Sequence, residues 1–312
     1  MNQPSRSVEI SIAAHYVPER VQFLALSLDA INSWLCCDVR ITIVTNDLAL
    51  AEDAALTCSL AKLAKAGRTV TFDQTKDLDH PWHLTWWHKQ HLREWSAQAN
   101  RNDLFCYIED DIAISADAIA YFIKHLDSAK AQGLIPGFLR YENSSENTQI
   151  STDFLSHQPV GKGNLMHLAG TPFVPLEYPY WAGFVLDKEL AVEYLQSPWS
   201  NIESADKQPK SIGHSCRVQS AWALTYHNVP PTMPSRMAVP VDDDLRPLKE
   251  CLVWHTSNNY SESRTHGFGT IPIDLIFARN GFLVKAANML LFGARLRVRI
   301  LNKIARVFGL PA

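Results

Sequence analysis

The fold of this chain is decided by Phe105-Cys106-Tyr107-Ile108-Glu109-Asp110-Asp111-Ile112-Ala113-Ile114-Ser115. Four apolar residues precede three consecutive carboxylates, and a second apolar run then ends at a serine. The first run has the composition of a buried strand, and Ser115 can cap a following helix in which Ile119 and Phe122 share one face. The sequence therefore predicts a strand, an acidic turn and a helix in succession.

Outward from this stretch, short β-branched runs alternate with amphipathic runs of helical periodicity. Strands are predicted at 8–14, 39–44, 69–72 and 104–108, and helices at 19–35, 51–66 and 84–99. This order is typical of an α/β fold with a mostly parallel central sheet flanked by helices. Ligands of such sheets bind beyond the carboxyl ends of the strands, where Asp47 falls together with Glu109, Asp110 and Asp111, called here the acidic triplet.

Composition excludes several classes of protein. The chain has 312 residues, 46% of them hydrophobic, which is enough for a substantial core. A net charge of -3 argues against nucleic acid as a partner, and six cysteines without a CxxC pair argue against structural zinc. The first residues lead into a strand rather than a signal segment, and no long apolar run suits a spanning helix. We therefore expect a reduced, cytoplasmic protein.

Three segments differ in pattern: residues 1–132 alternate regularly, 133–274 are rich in loops, and 275–312 are basic. The last segment has seven Lys or Arg and no Asp or Glu, whereas the rest of the chain has 22 basic and 32 acidic residues. Its cations Arg295, Arg299, Lys303 and Arg306 share one helical face beside an apolar face. This pattern predicts an amphipathic helix on an anionic membrane surface; the alternative is a helix packed on its own domain.

The acidic triplet suggests metal chemistry. Adjacent carboxylates at the end of a strand repel one another and resist burial, and a divalent cation relieves both effects. Carboxylate oxygens suit Mg²⁺ or Mn²⁺, which commonly serve a phosphate group. Asp111 is the expected direct ligand, with Asp110 and Glu109 assisting. The alternative is an acidic turn that only caps the following helix.

Two segments carry a resemblance to a known family. Residues 107–122 resemble the DxD segment of GT-A glycosyltransferases, in the Glu-Asp-Asp form of the N-acetylglucosaminyltransferase I family, although Ala116 replaces a proline. Residues 180–190 are similar to that family's Gly-x-Gly-Trp stretch, with Ala182 in place of a glycine and Phe184 in place of the tryptophan. Both segments together cover a small part of the chain.

The resemblance implies a GT-A-like fold, in which 1–132 binds a nucleotide-sugar donor, most simply a UDP-sugar, with Mn²⁺ or Mg²⁺. The loop-rich 133–274 would then bind the acceptor. It also implies inversion by direct displacement, with a general base about twenty residues beyond the glycine-aromatic segment. Glu203 and Asp206 occupy that stretch, but the family's Trp-Asp-Asp-Trp pattern is absent. The alternative for each residue is a solvated loop carboxylate without a catalytic role.

Further site residues follow from position and residue type. The candidates are Asp47 for the nucleoside, Lys89 and Arg93 for the diphosphate, His255 as an additional metal ligand, and Arg140, Glu142, Trp181 and Asn258 for the acceptor. Each has a structural alternative, such as a surface cation or a histidine bonded to the backbone. The histidines around 83–91 lack a matching acidic or cysteine partner for zinc.

The sequence thus predicts a metal-dependent glycosyltransferase, transferring a hexosyl or N-acetylhexosaminyl group to a glycan or lipid-linked glycan. The basic segment favours a bacterial enzyme of surface polysaccharide synthesis, peripheral to the inner face of the cytoplasmic membrane. A sugar nucleotidyltransferase is an alternative, although residues 13–19 lack the glycine-rich phosphate loop it needs. A non-catalytic glycan- or lipid-binding protein is another.

Overall fold

The computed structural model describes residues 6–35, 37–76, 78–100, 103–161, 164–206, 215–261, 269 and 271–279. Most of the predicted basic segment, 280–312, therefore lies outside the described residues. The strands, numbered in chain order, are β1 (Arg6–Ala14), β2 (Cys37–Thr45), β3 (Thr69–Gln74), β4 (Leu104–Glu109), β5 (Ile112–Ala113), β6 (Ile135–Pro136), β7 (Leu139–Asn143), β8 (Gln149–Ser151), β9 (Gln158–Val160), β10 (Met166–Leu168), β11 (Thr171–Pro175), β12 (Gly183–Asp187), β13 (Met237–Pro240), β14 (Leu252–His255), β15 (Ile271–Pro272) and β16 (Phe277–Arg279).

Helices separate several of these strands. The α-helices are α1 (Val21–Asn32), α2 (Ala54–Lys65), α3 (His88–Gln98), α4 (Ala116–Lys130), α5 (Lys188–Gln196), α6 (Ile202–Asp206) and α7 (Cys216–Ser220). Short 3₁₀ helices span Pro18–Arg20, Leu48–Glu52, Pro81–Trp86, Pro198–Ser200, Lys249–Cys251 and Ile273–Leu275. Across the described ranges, no helix is both long enough and apolar enough to cross a membrane.

The chain forms two compact units whose boundaries differ from the predicted segments. The first unit comprises 1–123 and 180–229, and the second comprises 124–179 and the chain from 230 onward. Residues 180–229 belong to the first unit because β12 pairs with β4, from Gly183 opposite Ile108 to Asp187 opposite Leu104. A boundary drawn along the sequence at 132 does not anticipate this return.

The first unit is an α/β sandwich around one sheet in the order β12-β4-β1-β2-β3. The pairs β1–β2, β1–β4 and β2–β3 are parallel, and β12 is antiparallel to β4. The sequence prediction of a mostly parallel α/β sheet is therefore confirmed. The chain continues from β1 to β2 and β3 on one side of β1, and it then returns to form β4 on the other side of β1. The strand order therefore reverses between β1 and β4.

Apolar periodicity explains this packing. Every residue of β4 is buried, as expected for a strand covered on both faces. Helix α1 buries Val21, Leu24, Leu28 and Ile31, which recur at the spacing of one helical face. The predicted cap at Ser115 is also present, since its Oγ accepts a hydrogen bond of 3.1 Å from the backbone N–H of Ala118. The core therefore fixes both sides of the acidic turn.

The second unit consists of small sheets joined by loops. Strands β10, β11, β13 and β6 pair in that order, and β15, β8, β7 and β14 pair in another. The β6–β13 and β7–β14 pairs are parallel, whereas β7–β8 and β10–β11 are antiparallel. Strands β9 and β16 form a separate parallel pair. The predicted loop-rich character of this part of the chain is consistent with these short strands.

Candidate active site

The acidic triplet is fixed by backbone hydrogen bonds to two neighbouring strands of the first unit. Glu109 ends β4, and its N–H donates to the carbonyl of Ala182 at 3.1 Å. The N–H of Asp110 donates to the carbonyl of Ala13 in β1, also at 3.1 Å. Glu109 and Asp111 are 2% exposed and Asp110 is 7% exposed. Three carboxylates are thus held in the interior at the carboxyl end of the sheet.

Two arginines compensate most of this negative charge. Nη2 of Arg20 donates to Oδ1 of Asp110 at 2.7 Å and to Oδ2 of Asp111 at 2.9 Å. Arg217 donates through Nε at 2.9 Å and through Nη2 to Oε2 of Glu109. The hydroxyl of Tyr180 donates to the other oxygen of Glu109 at 3.2 Å. These are charge-assisted contacts, the stronger kind of hydrogen bond.

The charge balance remains negative, because three carboxylates face two guanidinium groups. Burial and the neighbouring charge of Asp111 raise the pKa of Asp110 to about 7, even though Arg20 opposes the shift. The attraction of Glu109 raises the pKa of Arg217, so that guanidinium stays charged. A crowded carboxylate of this kind gains from additional positive charge.

A cavity of about 280 Å³ opens beside the triplet. Ala13, Arg20, Trp82, Glu109, Asp110 and Arg217 are among its lining residues. It lies beyond the carboxyl ends of β1 and β4, where the strand order reverses, and this is the usual ligand position in open α/β sheets. Trp82 is 47% exposed. The cavity therefore offers carboxylates, guanidinium groups and an accessible aromatic ring together.

A second cavity in the same unit is larger, about 500 Å³, and is lined by Glu9, Arg40 and His91 among others. Glu9 and Arg40 lie in the first halves of β1 and β2, on the opposite side from the carboxyl ends. The triplet cavity is the better candidate because its position follows the rule for parallel sheets and because charged groups of both signs converge on it.

The structure places the other predicted donor-site residues of the first unit outside this cavity lining. Asp47 is exposed, and its carboxylate caps a 3₁₀ helix by accepting from the N–H of Ala49 at 2.9 Å. Lys89 is buried and donates to the hydroxyl of Tyr194 and, at 2.8 Å, to the carbonyl of Ser220. Burial lowers the pKa of Lys89, and the charge of Arg93 adds to this effect. Contacts of Asp47 and Lys89 with a donor stay predictions.

The remaining predicted residues of the first unit are spread over several elements. Arg93 donates to the carbonyl of Ser200 at 3.3 Å. Trp181 is 1% exposed and packs in the interior next to Gly183. Glu203 is exposed in the short helix α6, and the side chain of Asp206 lies outside the described residues. Their predicted roles toward diphosphate, acceptor and base stay predictions.

The predicted residues of the second unit form a cluster of their own. His255 at the end of β14 contacts Oε1 of Glu142 through Nδ1 at 2.5 Å and Oγ of Ser257 through Nε2 at 3.1 Å. Glu142 also accepts from the N–H groups of Tyr260 and Ser261, at 2.9 and 2.6 Å. These contacts join β7 to the loop after β14. The predicted metal role of His255 and acceptor role of Glu142 are expectations beyond this geometry.

Two further residues proposed for the acceptor are also held by specific contacts. Arg140 forms a two-pronged pair with Asp153, at 3.0 and 2.6 Å. Asn258 exchanges two hydrogen bonds of 2.7 Å with the backbone of Asn143. Both side chains are therefore held by contacts within the second unit, and their contact with an acceptor stays a prediction.

Sequence reasoning missed the residues that complete the cavity. Arg20 follows β1 by six residues, so the rule that places ligands at the first βα connection was a usable signal. Trp82 precedes the histidines around 83–91, which were considered only as zinc ligands. Arg217 had no such signal, because it pairs with a residue 108 positions earlier in the chain.

The donor set fits a divalent cation in its chemistry. Within the described ranges, no group of three or more His, Cys, Asp or Glu side chains is arranged as a ready metal site. The triplet nevertheless supplies hard oxygen donors, an excess of negative charge and a carboxyl whose pKa is raised to about 7 by burial and crowding. Asp110 and Asp111 are the residues that would hold Mg²⁺ or Mn²⁺.

Comparison with known proteins adds little. No family model matches the chain, and no curated protein matches it. Among solved structures, the crystal structure of S. aureus TarS is similar with a TM-score of 0.36 and 10% identity. The match covers 60% of this chain and 29% of that chain, so this chain spans less than a third of the neighbour's length. A likeness at this level carries no argument about function.

Proposed function

We propose that the protein is a metal-dependent glycosyltransferase that uses a nucleotide-diphosphate sugar. The observation that carries the proposal is the triplet cavity, where Asp110, Arg20, Arg217 and Trp82 converge beyond the carboxyl ends of β1 and β4. Carboxylates suit a cation, guanidinium groups suit phosphate, and an accessible tryptophan suits a base or sugar ring. The three kinds of group together suit a nucleotide-diphosphate sugar with its cation, and a UDP-sugar is the donor we propose.

Each residue then has a chemical task. Asp110 and Asp111 would hold Mn²⁺ or Mg²⁺, which when bound supplies positive charge to the leaving diphosphate. Arg217 holds one carboxylate oxygen of Glu109 in place, and Tyr180 holds the second oxygen of the same carboxylate. Because three carboxylates face two arginines, the site without a cation repels a diphosphate. The proposal therefore ties donor binding to the cation.

The acceptor side is proposed from the sequence. The acceptor is the hydroxyl of a glycan or lipid-linked glycan in bacterial surface polysaccharide synthesis, and Glu203 or Asp206 is the general base of an inverting displacement. Arg140, Glu142, Trp181 and Asn258 are proposed for the acceptor, and His255 as an additional metal ligand. The basic segment 275–312 would hold the enzyme at the inner face of the cytoplasmic membrane.

The release of nucleoside diphosphate tests this proposal. Purified protein is incubated with a panel of nucleotide sugars, with Mn²⁺ or with a chelator, and the products are separated by chromatography. Slow Mn²⁺-dependent hydrolysis of one donor, lost in Asp111→Asn and kept in Asp117→Asn, is the expected result. Asp117 is a suitable control because it is exposed in α4 and loses the same charge.

Two other results would replace the proposal. Pyrophosphate released from a nucleoside triphosphate and a sugar phosphate would indicate a sugar nucleotidyltransferase. Donor binding without any turnover, even with a range of glycan acceptors, would indicate a non-catalytic binding protein.

A further inference from the structure

A single nitrogen atom of Arg20 lies between two carboxylates. Its Nη2 lies 2.7 Å from Oδ1 of Asp110 and 2.9 Å from Oδ2 of Asp111. A divalent cation held by Asp110 and Asp111 would need the same carboxylate oxygens that this nitrogen now contacts. A divalent ion shared by Asp110 and Asp111 therefore competes directly with this guanidinium.

Arg20 also has donors available for a ligand in the cavity. Across the described ranges its Nε and Nη1 donate no hydrogen bond, so two of its three nitrogens remain available. The side chain is 32% exposed and lines the triplet cavity. A guanidinium with available donors in a cavity is well suited to a phosphate group.

Arg217 is held differently. It directs both Nε and Nη2 at one oxygen of Glu109, and Tyr180 holds the other oxygen. Both oxygens of Glu109 thus accept from side chains, whereas Arg20 serves two different carboxylates through one nitrogen. The two arginines therefore differ in how readily a competing cation can replace them.

We propose that Arg20 is an exchangeable counter-ion. It pairs with Asp110 and Asp111 while no metal is bound, and it turns to the donor diphosphate when a divalent cation takes its place on the carboxylates. This inference rests on the proposed function, because it assumes a cation site at the triplet. It assigns Arg20 a role in coupling donor binding to cation binding, and it predicts that removing Arg20 has opposite effects on the two ligands.

The test measures both affinities in Arg20→Gln. Mn²⁺ affinity is followed by the electron paramagnetic resonance signal of free Mn²⁺, and UDP affinity by calorimetry at saturating Mn²⁺. Removing a competing unit charge about 4 Å away is expected to tighten Mn²⁺ binding by about tenfold or more. UDP binding at saturating Mn²⁺ is expected to weaken by about tenfold, since a charged donor to phosphate is lost.

Two variants serve as controls. Arg40→Gln removes the same charge from an exposed arginine. Among the salt bridges of the described residues, Arg40 contacts only Glu9, at 3.8 Å. Both affinities should therefore stay unchanged in this variant. Arg20→Lys keeps the charge, so its Mn²⁺ affinity should rise less than that of Arg20→Gln. Far-ultraviolet circular dichroism and thermal unfolding of each variant establish that it is folded.

The outcomes are distinguishable from failure of the proposed function. Tighter Mn²⁺ and weaker UDP binding in Arg20→Gln support the exchange, including the case in which only the variant binds Mn²⁺ measurably. Unchanged or weaker Mn²⁺ binding in the folded variant overturns it, even if the wild type binds Mn²⁺ and UDP normally and the proposed function stands. A folded wild type and variant that both fail to bind Mn²⁺ overturn both proposals.

Discussion

At the scale of single residues, the acidic triplet is stable only because each of its carboxylates has a charged or polar donor. Burying an ion without a partner costs several kcal/mol, and the contacts from Arg20, Arg217 and Tyr180 offset that cost. Such pairs seldom add net stability compared with apolar residues. Three adjacent buried acids therefore indicate a ligand site more than a structural device.

Trp82 tests the ligand side of this site without disturbing the core. We expect Trp82→Ala to weaken UDP binding at saturating Mn²⁺ by about 1–3 kcal/mol, the typical loss when an aromatic partner of a base is removed. Because the ring is 47% exposed, the melting temperature of the free protein should change little. Leu48→Ala, at a side chain 45% exposed, is the control. Unchanged UDP affinity in Trp82→Ala would place the base elsewhere.

Glu142 tests a buried carboxylate in the second unit. It is 0% exposed and accepts from His255 and two backbone N–H groups, so we expect Glu142→Gln to lower the free energy of unfolding by about 1–3 kcal/mol. Urea denaturation measures the change. Glu146→Gln, an exposed control in the β7–β8 turn, should stay within about 0.5 kcal/mol of wild type.

The same residue predicts a pH dependence. Burial alone would raise the pKa of Glu142, but the hydrogen bonds from His255, Ser261 and Tyr260 outweigh burial and lower it. A lowered folded-state pKa contributes stability that is fully present above the ordinary value of 4.5 and is lost as the pH falls from there through the folded-state pKa. The decline in stability below about pH 4.5 should therefore be shallower in Glu142→Gln. Identical slopes in both proteins would contradict this account.

At the scale of elements, the start of β12 holds the triplet in place. Of two neighbouring residues there, one has a backbone conformation that favours glycine and the other has no space for a side chain. Ala182 has φ of 63°, a conformation that favours glycine, and its carbonyl holds the N–H of Glu109. At Gly183 a Cβ atom would lie 2.5 Å from the carbonyl oxygen of Tyr107 and 2.6 Å from the ring of Trp181.

The pair Gly183→Ala and Ala182→Gly tests this junction. We expect Gly183→Ala to destabilise the protein by about 1–3 kcal/mol, because the added methyl pushes β12 from β4. In Ala182→Gly, relief of the left-handed strain opposes a larger loss of chain entropy, and the free energy of unfolding should stay within about 1 kcal/mol of wild type. Urea denaturation of both variants provides the measurement. Equal stability of the two would show that the close approach at Gly183 is not limiting.

Elements differ in how far the sequence specifies them. The strand, acidic turn and helix at 104–130 follow from local apolar patterns and a serine cap, and they were predicted. Helix α3 lies within the helix predicted at 84–99, but it begins only at His88 because residues Pro81–Trp86 form a 3₁₀ helix before it. Its first turn buries His88 and Lys89, which are polar residues that an apolar pattern does not assign to the interior.

At the scale of the whole molecule, the sequence specified the class of fold but not the course of the chain. Alternating strands and helices predicted the mostly parallel sheet, since each element carries its own periodicity. The return of 180–229 to the first unit depends on the pairing of β12 with β4, which no local pattern encodes. For the same reason, the carboxylates of the site were predictable, and their partner Arg217 was not.

The proposed function requires that the acidic triplet bind a divalent cation together with a nucleotide-diphosphate sugar. The most direct test is thermal unfolding with a panel of nucleotide sugars, with and without Mn²⁺, on wild type, Asp111→Asn and the control Asp117→Asn. A donor at about 100 times its dissociation constant should add about 2.7 kcal/mol of stability. We expect a Mn²⁺-dependent shift for one nucleotide class in wild type and Asp117→Asn, and no such shift in folded Asp111→Asn. No shift in wild type, or an equal shift in Asp111→Asn, would contradict it.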